Sequence, residues 1–335
     1  INECSMREAK VSSTEDFFNL LDIIGAEGVN AFTSFDVTAY HNSFPEAEMY
    51  RWLTIFSDRL IDPVFRSFQA ELENVFEEYN MYLDDNSTHT RNFIFGKLYE
   101  GHAYARDIIG YPEDLKNPKM RQLIDFYNTW YVPNNMALIL VGDFDTEAAK
   151  PLIEKTFGKL QARPLPQRTQ YPTTAFSQDE RYSAKLGYMP ELYIAYNGVP
   201  VGDKDELLLD FLGEILSNSM QIGLLDELTL DNKLMYAGAM NDIRRDQGRF
   251  IVVAVPYMDA ETQTYTSLKE TENLVNEAIQ QLVNGNISEE LVEAVRQNFY
   301  QEFDRTMEYP AMKVQLLQNA FTYQQSIEEM LLQKE

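Results

Sequence analysis

Chemistry in this chain has to come from carboxylates, because most other reactive groups are scarce. His41, His89 and His102 are the whole imidazole supply, and no two stand at the His-x-x-x-His spacing of a helical metal pair. There is no Gly-x-Ser-x-Gly elbow, no Gly-rich phosphate loop ahead of a lysine and no EF-hand loop. The single thiol, Cys4, excludes an internal disulfide and a thiolate metal cluster. What remains is a pair of glutamates on a helix expected over residues 64–83. At 100° per residue, Glu71 and Glu78 lie about 20° apart beside a stripe of Phe68, Val75, Tyr79 and Tyr82, whereas Glu73 and Glu77 point away. Carboxylates bordering an apolar face are costly unless paired or bound to a cation. Two readings stay open on these residues alone: a cation site, or an acidic helix edge with arginine or water partners.

Several elements would have to position that helix. Ser12 and Glu15 form a capping box ahead of Phe17, Leu20, Leu21 and Ile24, whose three-and-four spacing predicts a helix closed by Gly25 and Gly28. Residues 30–44 are rich in β-branched and aromatic side chains and read as a long strand or hairpin. Helices are expected at 46–60 and 64–83, separated by Asp62 and Pro63, and another follows Asn117 and Pro118. Met136–Val141 reads as a buried strand and Thr146–Leu160 as an amphipathic helix. Pro164, Pro166 and Pro172 then mark an extended connector, since proline fixes φ and removes backbone donors. Beyond it a strand is expected at 192–196, a helix at 204–216, strands at 234–239 and 250–257, and helices at 261–283 and 288–307. Strands followed by two helices at 30–83 thus return at 234–307, offset by roughly two hundred residues, which reads as an internal duplication. The domains expected are 1–162 and 177–335, joined by the linker 163–176.

The duplication carries an arithmetic of its own. A strand and helix at 192–216 precede the second copy's paired strands, and their first-copy counterparts would fall before Ile1. The strand and helix at 136–160 have second-copy counterparts that would fall beyond Glu335. The expectation is a chain truncated at both ends, consistent with the lack of an initiator Met. By this reading the first domain lacks its N-terminal part and the second its C-terminal part.

Composition narrows the classes further. Among 335 residues, 28 Lys and Arg against 53 Asp and Glu give 28 − 53 = −25, and so acidic a chain does not suit phosphate backbones or anionic membranes. With 44% apolar residues the chain can build cores. No apolar run approaches the ~20 residues of a membrane-spanning helix. The chain reads as soluble, its compartment open between a bacterial periplasm and the cytoplasm.

Asn30-Ala31-Phe32-Thr33-Ser34, then Thr38, Tyr40, Phe44-Pro45, Ser57-Asp58-Arg59, Glu71 and Val75-Phe76-Glu77-Glu78 resemble the pitrilysin and insulin-degrading enzyme family of inverzincin zinc peptidases, which includes the mitochondrial processing peptidase. Gly101-His102-Ala103-Tyr104 leading to Gly110, and Tyr131-x-Pro133-Asn134-Asn135-Met136 leading to Gly142-Asp143, extend the likeness through the first domain. Tyr193-Ile194-Ala195-Tyr196 and Leu225–Tyr236 carry it more loosely into the second. The resemblance implies an α+β fold of two homologous metallohydrolase-like domains, each a mostly antiparallel sheet with helices on one face. It implies zinc held by an inverted His-x-x-Glu-His motif whose Glu activates water, with a later Glu as third ligand. The match places that ligand at Glu78 and a supporting carboxylate at Glu71; a one-residue slip would exchange Glu77 for Glu78. Asn30, Ala31, Phe32 and Thr33 match the edge strand on which an extended peptide adds.

The motif itself is absent from these residues, so no catalytic residue is assigned in this chain. The resemblance implies part of a zinc metalloendopeptidase, a hydrolase that cleaves peptides in proteolysis. The parent protein would hold zinc, and this chain alone would neither retain the metal nor hydrolyse peptides. Its expected partners are a peptide substrate and either a second half of the parent protein or a homologous subunit, with no nucleic acid. The alternative is a non-catalytic scaffold or peptide-binding homologue. His41 and His102 read as structural or exposed and His89 as solvent-facing. In the second domain Thr229 stands seven residues before Tyr236, where the family has an arginine that holds substrate, and Asn298 stands about where Glu78 does in the first.

Overall fold

The computed structural model describes residues 14–65 and 67–332. Cys4 and the Ser12 cap lie outside the described residues. The chain divides into two compact units, one of residues up to Asp85 together with Arg106–Gln170, the other of Asn86–Ala105 together with Tyr171 onward. The fold is mixed, with helices and antiparallel strands.

In the first unit, helix α1 (Thr14–Ile23) leads through Gly25 to the hairpin of β1 (Glu27–Thr33) and β2 (Thr38–Ser43). Gly25 has φ +69° and Gly28 φ +62°, left-handed values that glycine adopts without steric cost. The strands pair antiparallel, with Asn30 opposite His41, Ala31 opposite Tyr40 and Thr33 opposite Thr38. A short 3-10 turn at Glu46–Glu48 runs into α2 (Met49–Ile61); Pro63 follows, and α3 (Phe68–Leu83) comes next. Helices α5 (Pro112–Lys116), α6 (Met120–Trp130) and α7 (Thr146–Thr156) complete the unit. The α7 start is set by Asp145, whose carboxylate accepts from the backbone N–H of Glu147 and Ala148, a standard N-cap. Phe17, Leu21, Ile24, Met49, Trp52, Leu53 and Ala149 form the core.

The strand expected at Met136–Val141 is not formed among the described residues. Leu138 and Leu140 nonetheless pack on that core. Alternate side chains of an extended segment can bury without a ladder, so the apolar run reports burial rather than pairing.

The second unit is built on a three-stranded antiparallel sheet, β3 (Leu192–Asn197), β5 (Arg249–Pro256) and β4 (Leu234–Asp242), in the order β3-β5-β4. Ile251, Val252, Val253 and Ala254 of the central strand are all buried, so both faces of β5 must be covered. One face packs on α8 (Glu206–Leu216), α9 (Leu224–Leu230), α10 (Leu268–Val283) and α11 (Glu289–Glu308), through Ile215, Leu216, Leu225, Val252, Val275 and Val295. The other is covered by α4 (Asn86–Leu98) and the turn after it, where Leu98, Tyr99 and Tyr104 meet Ile251. A small β6–β7 ribbon (Met258–Asp259, Thr264–Tyr265) precedes α10; α12 (Pro310–Tyr323) and α13 (Ile327–Leu332) end the described chain.

The proline-rich stretch has no regular structure, but each part is tied to its own unit. Arg163 donates to Asn128 at 3.1 Å within the first. In the second, Thr174 donates its backbone N–H to Gln247 at 2.9 Å, and Phe176 and Asn197 bond reciprocally. No helix among the described residues is long and apolar enough to cross a membrane.

Candidate functional site

Helix α3 forms because its sixteen residues, FQAELENVFEEYNMYL, contain no Gly or Pro and include strong helix formers such as Ala, Leu and Glu. It is seated from its start to its middle: Glu71 is buried at 5% exposure, and Lys116 lies over the Phe76 ring at 5.8 Å. Its last turns are not, since Met81 is 73% exposed and Tyr82 and Leu83 lie out as well. Glu78 belongs to this open end, exposed and accepting a hydrogen bond from Tyr82 Oη at 3.0 Å. The helical wheel placed both carboxylates at one apolar edge. The cover over that edge ends between them, which a wheel cannot show.

Zinc takes three protein ligands and a water in catalytic sites. Among the described residues no three His, Cys, Asp or Glu side chains converge on a point that could hold a metal ion. The donors present do not fit a zinc centre by themselves; Glu78 offers one accessible carboxylate.

The second predicted feature, β1, pairs only with β2 among the described strands. Asn30, Phe32 and Thr33 are exposed and Ala31 is half-buried. The Ala31 N–H points away from the β2 ladder and is held by Asn30 Oδ1 at 2.8 Å. A strand arriving on this edge would exchange that local bond for an intermolecular one.

Behind the hairpin lies a group that the sequence singled out only through scattered motif positions. Arg59 on α2 is buried at 5% exposure, its guanidinium 4.8 Å from the Phe17 ring, 5.4 Å from Tyr40 and 5.7 Å from Phe56. Burial lowers its pKa to about 10, opposed by Tyr40, Tyr127 and Tyr131. Tyr40 and Tyr131 share a hydrogen bond of 2.6 Å, and Tyr127 donates to the Leu60 carbonyl at 2.8 Å. Burial first, and then Tyr40, pushes the Tyr131 phenol far above its ordinary range; burial does the same to Tyr127. Arg59 and its tyrosines thus tie β2 and α6 to α2 and hold the hairpin in place.

His41 is exposed on β2 and His89 is half-buried on α4. His102 is buried at 4% exposure. Its Nδ1 accepts the Tyr104 backbone N–H at 3.1 Å and its Nε2 lies 3.4 Å from Asp246 Oδ2, the setting of a structural histidine. Tyr236 is exposed at 53% and Thr229 is half-buried on α9.

Comparisons with known proteins agree with these motifs. The family model described as the peptidase M16 inactive domain matches residues 120–299, and that described as insulinase, peptidase family M16, matches residues 5–111. The probable zinc protease PqqL of Escherichia coli is 32% identical over 155 residues, covering 44% of this chain and 16% of that protein. The zinc protease PqqE of Helicobacter pylori is 24% identical over 236 residues, 67% of this chain and 52% of that one. This chain therefore spans about half of one of these curated relatives and less of the other. The crystal structure of a protease from Helicobacter pylori superposes with a TM-score of 0.83 at 19% identity, covering 99% of this chain and 81% of that one. That of the periplasmic protease PqqL from Escherichia coli gives 0.76 at 20% identity, over 99% of this chain and 38% of that one. At these identities the structural likeness speaks to the fold alone.

Proposed function

The chain belongs to peptidase family M16, and from that premise we propose that it is the substrate-framing part of a zinc metalloendopeptidase, inactive alone and completed by metal donors from outside these 335 residues. In this reading Glu78 supplies one carboxylate to zinc. Glu71 fixes α3 from the buried side so that Glu78 is presented, and Asn30–Thr33 offer backbone groups to an extended peptide. Arg59 and its tyrosines hold the hairpin that presents this edge. The partner supplying the remaining donors is a second half of the same protein or a homologous subunit.

The observation that carries this reading is the position of Glu78, exposed at the point where the cover over α3 stops. A purely structural acidic edge has no need of the exposed Met81, Tyr82 and Leu83 that follow it. The match to an inactive-domain model over 120–299 favours a second reading, a non-catalytic peptide-binding scaffold. Both readings share the β1 edge and differ over metal.

Ala31→Pro tests the edge. Proline removes the outward N–H while sparing the bonds of β1 to β2, a substitution that strand edges tolerate. A fluorescent extended peptide of basic or neutral sequence, titrated against the chain, is expected to bind without being cleaved and to lose severalfold in affinity in the variant, with the circular dichroism unchanged. Equal affinity in the two proteins would remove the β1 assignment. Cleavage of the peptide by the chain alone, abolished by a chelator, would overturn the proposed inactivity.

A further inference from the structure

The second unit contains a group of carboxylates that the peptide-binding reading leaves unused. It gathers where α8 packs on α11, a junction fixed by the Phe211 and Phe299 rings 5.6 Å apart. Glu214 stands at its centre, four residues after Asp210 on the same face of α8. Its Oε2 is enclosed and has no hydrogen-bond partner. The Asn298 side chain of α11, the residue that the repeat sets opposite Glu78, is the neighbour that favours its charged form.

Each element packed on α8 can be asked what charge it brings. From α11 comes Glu302, from α9 Asp226, and from α8 itself Asp210, all of the same sign as an ionised Glu214. Asp226 is already engaged, accepting from Ser217 Oγ at 2.9 Å and from the backbone N–H groups of Asn218 and Gly223 at 3.0 and 2.8 Å. Asp210 accepts from Asn241 of β4 at 3.0 Å. The buried face of α10 is Thr271, Val275, Ala278 and Ile279, which are uncharged. On α11, the Arg296 guanidinium is bonded to Glu293. Nor does a metal ion answer the charge, since no three donors converge among the described residues.

An enclosed carboxylate oxygen with like charges around it favours its neutral form. Burial first, then Glu302 and Asp226, raise the Glu214 pKa above its ordinary value, with Asn298 opposing. We propose that a proton on Glu214 holds the α8–α11 junction closed, and that its ionisation sets a charge beside Glu302, Asp226 and Asp210 and loosens this junction. The second unit thereby carries a pH-sensitive latch, independent of whether the first unit binds zinc or peptide. A group that holds its proton more tightly folded than unfolded contributes its full stability below the unfolded pKa, and loses it as pH rises through the folded one. The latch therefore tightens in acid and loosens above the usual glutamate range.

Hydrogen exchange of the full chain, read on peptides from α8 and α11 and corrected for intrinsic rates, tests this. Opening of these helices is expected to increase by roughly tenfold between about pH 5 and about pH 8. In Glu214→Gln, a neutral isostere of the protonated acid, this increase is expected to vanish and the helices to stay protected at the higher pH. Glu302→Gln, which removes a like charge, is expected to shrink the increase. A wild-type junction indifferent to pH, or an unchanged increase in Glu214→Gln, would overturn the proposal. The Glu214 carboxyl resonance provides a second readout: a titration midpoint above the ordinary glutamate value is expected, and a midpoint at that value would refute the latch.

Discussion

Glu71 and Glu78 stand two turns apart on α3, the first buried at 5% exposure and the second exposed, with Tyr82 Oη donating to it at 3.0 Å. One helix edge therefore serves two purposes, anchoring at one end and presentation at the other. Glu71→Ala is expected to destabilise the first unit by about 1–3 kcal/mol, the penalty for disrupting buried polar partners. Glu78→Ala is expected to leave the unfolding midpoint unchanged. The chain's two tryptophans, Trp52 and Trp130, both lie in the first unit, so tryptophan fluorescence during urea unfolding reads that unit selectively.

In the second unit the hydroxyl of Tyr99 donates to Asp242 Oδ2 at 2.5 Å, and Arg244 Nε bonds the same carboxylate at 3.0 Å. The Arg244 guanidinium lies 4.3 Å from the Tyr99 ring centre. Tyr99→Phe keeps the ring and removes the bond. A loss of about 1.5–3 kcal/mol is expected, as for other hydrogen bonds to charged groups. Hydrogen exchange of β5, compared between wild type and variant, measures it.

Tyr99, Tyr127 and Tyr131 all have phenols pushed upward, chiefly by burial. The sign follows from linkage. Each holds its proton more tightly in the folded chain, so its contribution is complete below the unfolded tyrosine value near 10 and is lost above it. Stability is expected to fall steeply above about pH 10. In an ultraviolet difference titration these three of the 20 tyrosines are expected to ionise only as the chain unfolds. Tyr131→Phe should flatten the alkaline loss for the first unit, and a slope identical to wild type would contradict the assignment.

Gly198 and Gly248 let two backbone segments meet beside the sheet, with the Gly198 N–H donating to the Gly248 carbonyl at 3.1 Å. A Cβ on Gly248 would fall 2.2 Å from the Val199 carbonyl oxygen, and backbone cannot yield as a flexible side chain does. Gly248→Ala is expected to cost about 1–3 kcal/mol or more, as overpacking does. Circular dichroism should report the loss, while the tryptophan signal of the first unit stays in place.

Much of this architecture was legible in the chain because local signals agreed with it. The three-and-four spacing of α1, the helices α2 and α3 on either side of Asp62 and Pro63, and the β-branched stretch expected at 30–44, which forms a hairpin at 27–43, all lie near their expected bounds. Long-range facts were not legible. Asn86–Ala105 packs in the second unit although it lies between segments of the first, because Leu98, Tyr99 and Tyr104 cover a sheet face whose strands begin almost a hundred residues later. The burial of Arg249 at 2% exposure was hidden too, since its partners, the carbonyls of Leu98 and Thr174, are backbone groups that no side-chain pattern advertises. At the candidate site, the spacing of Glu71 and Glu78 was readable. Which of them meets solvent depends on where the cover over α3 ends, a tertiary fact.

The zinc content of the purified chain after dialysis against a weak chelator tests the central claim most directly. With Glu78 offering its single carboxylate and no three donors converging among the described residues, the chain should retain far less than one zinc per molecule, and Glu78→Gln should not change that content. One zinc per chain, lost on Glu78→Gln and accompanied by chelator-sensitive peptide cleavage, would show that these residues form a complete centre and would contradict the account.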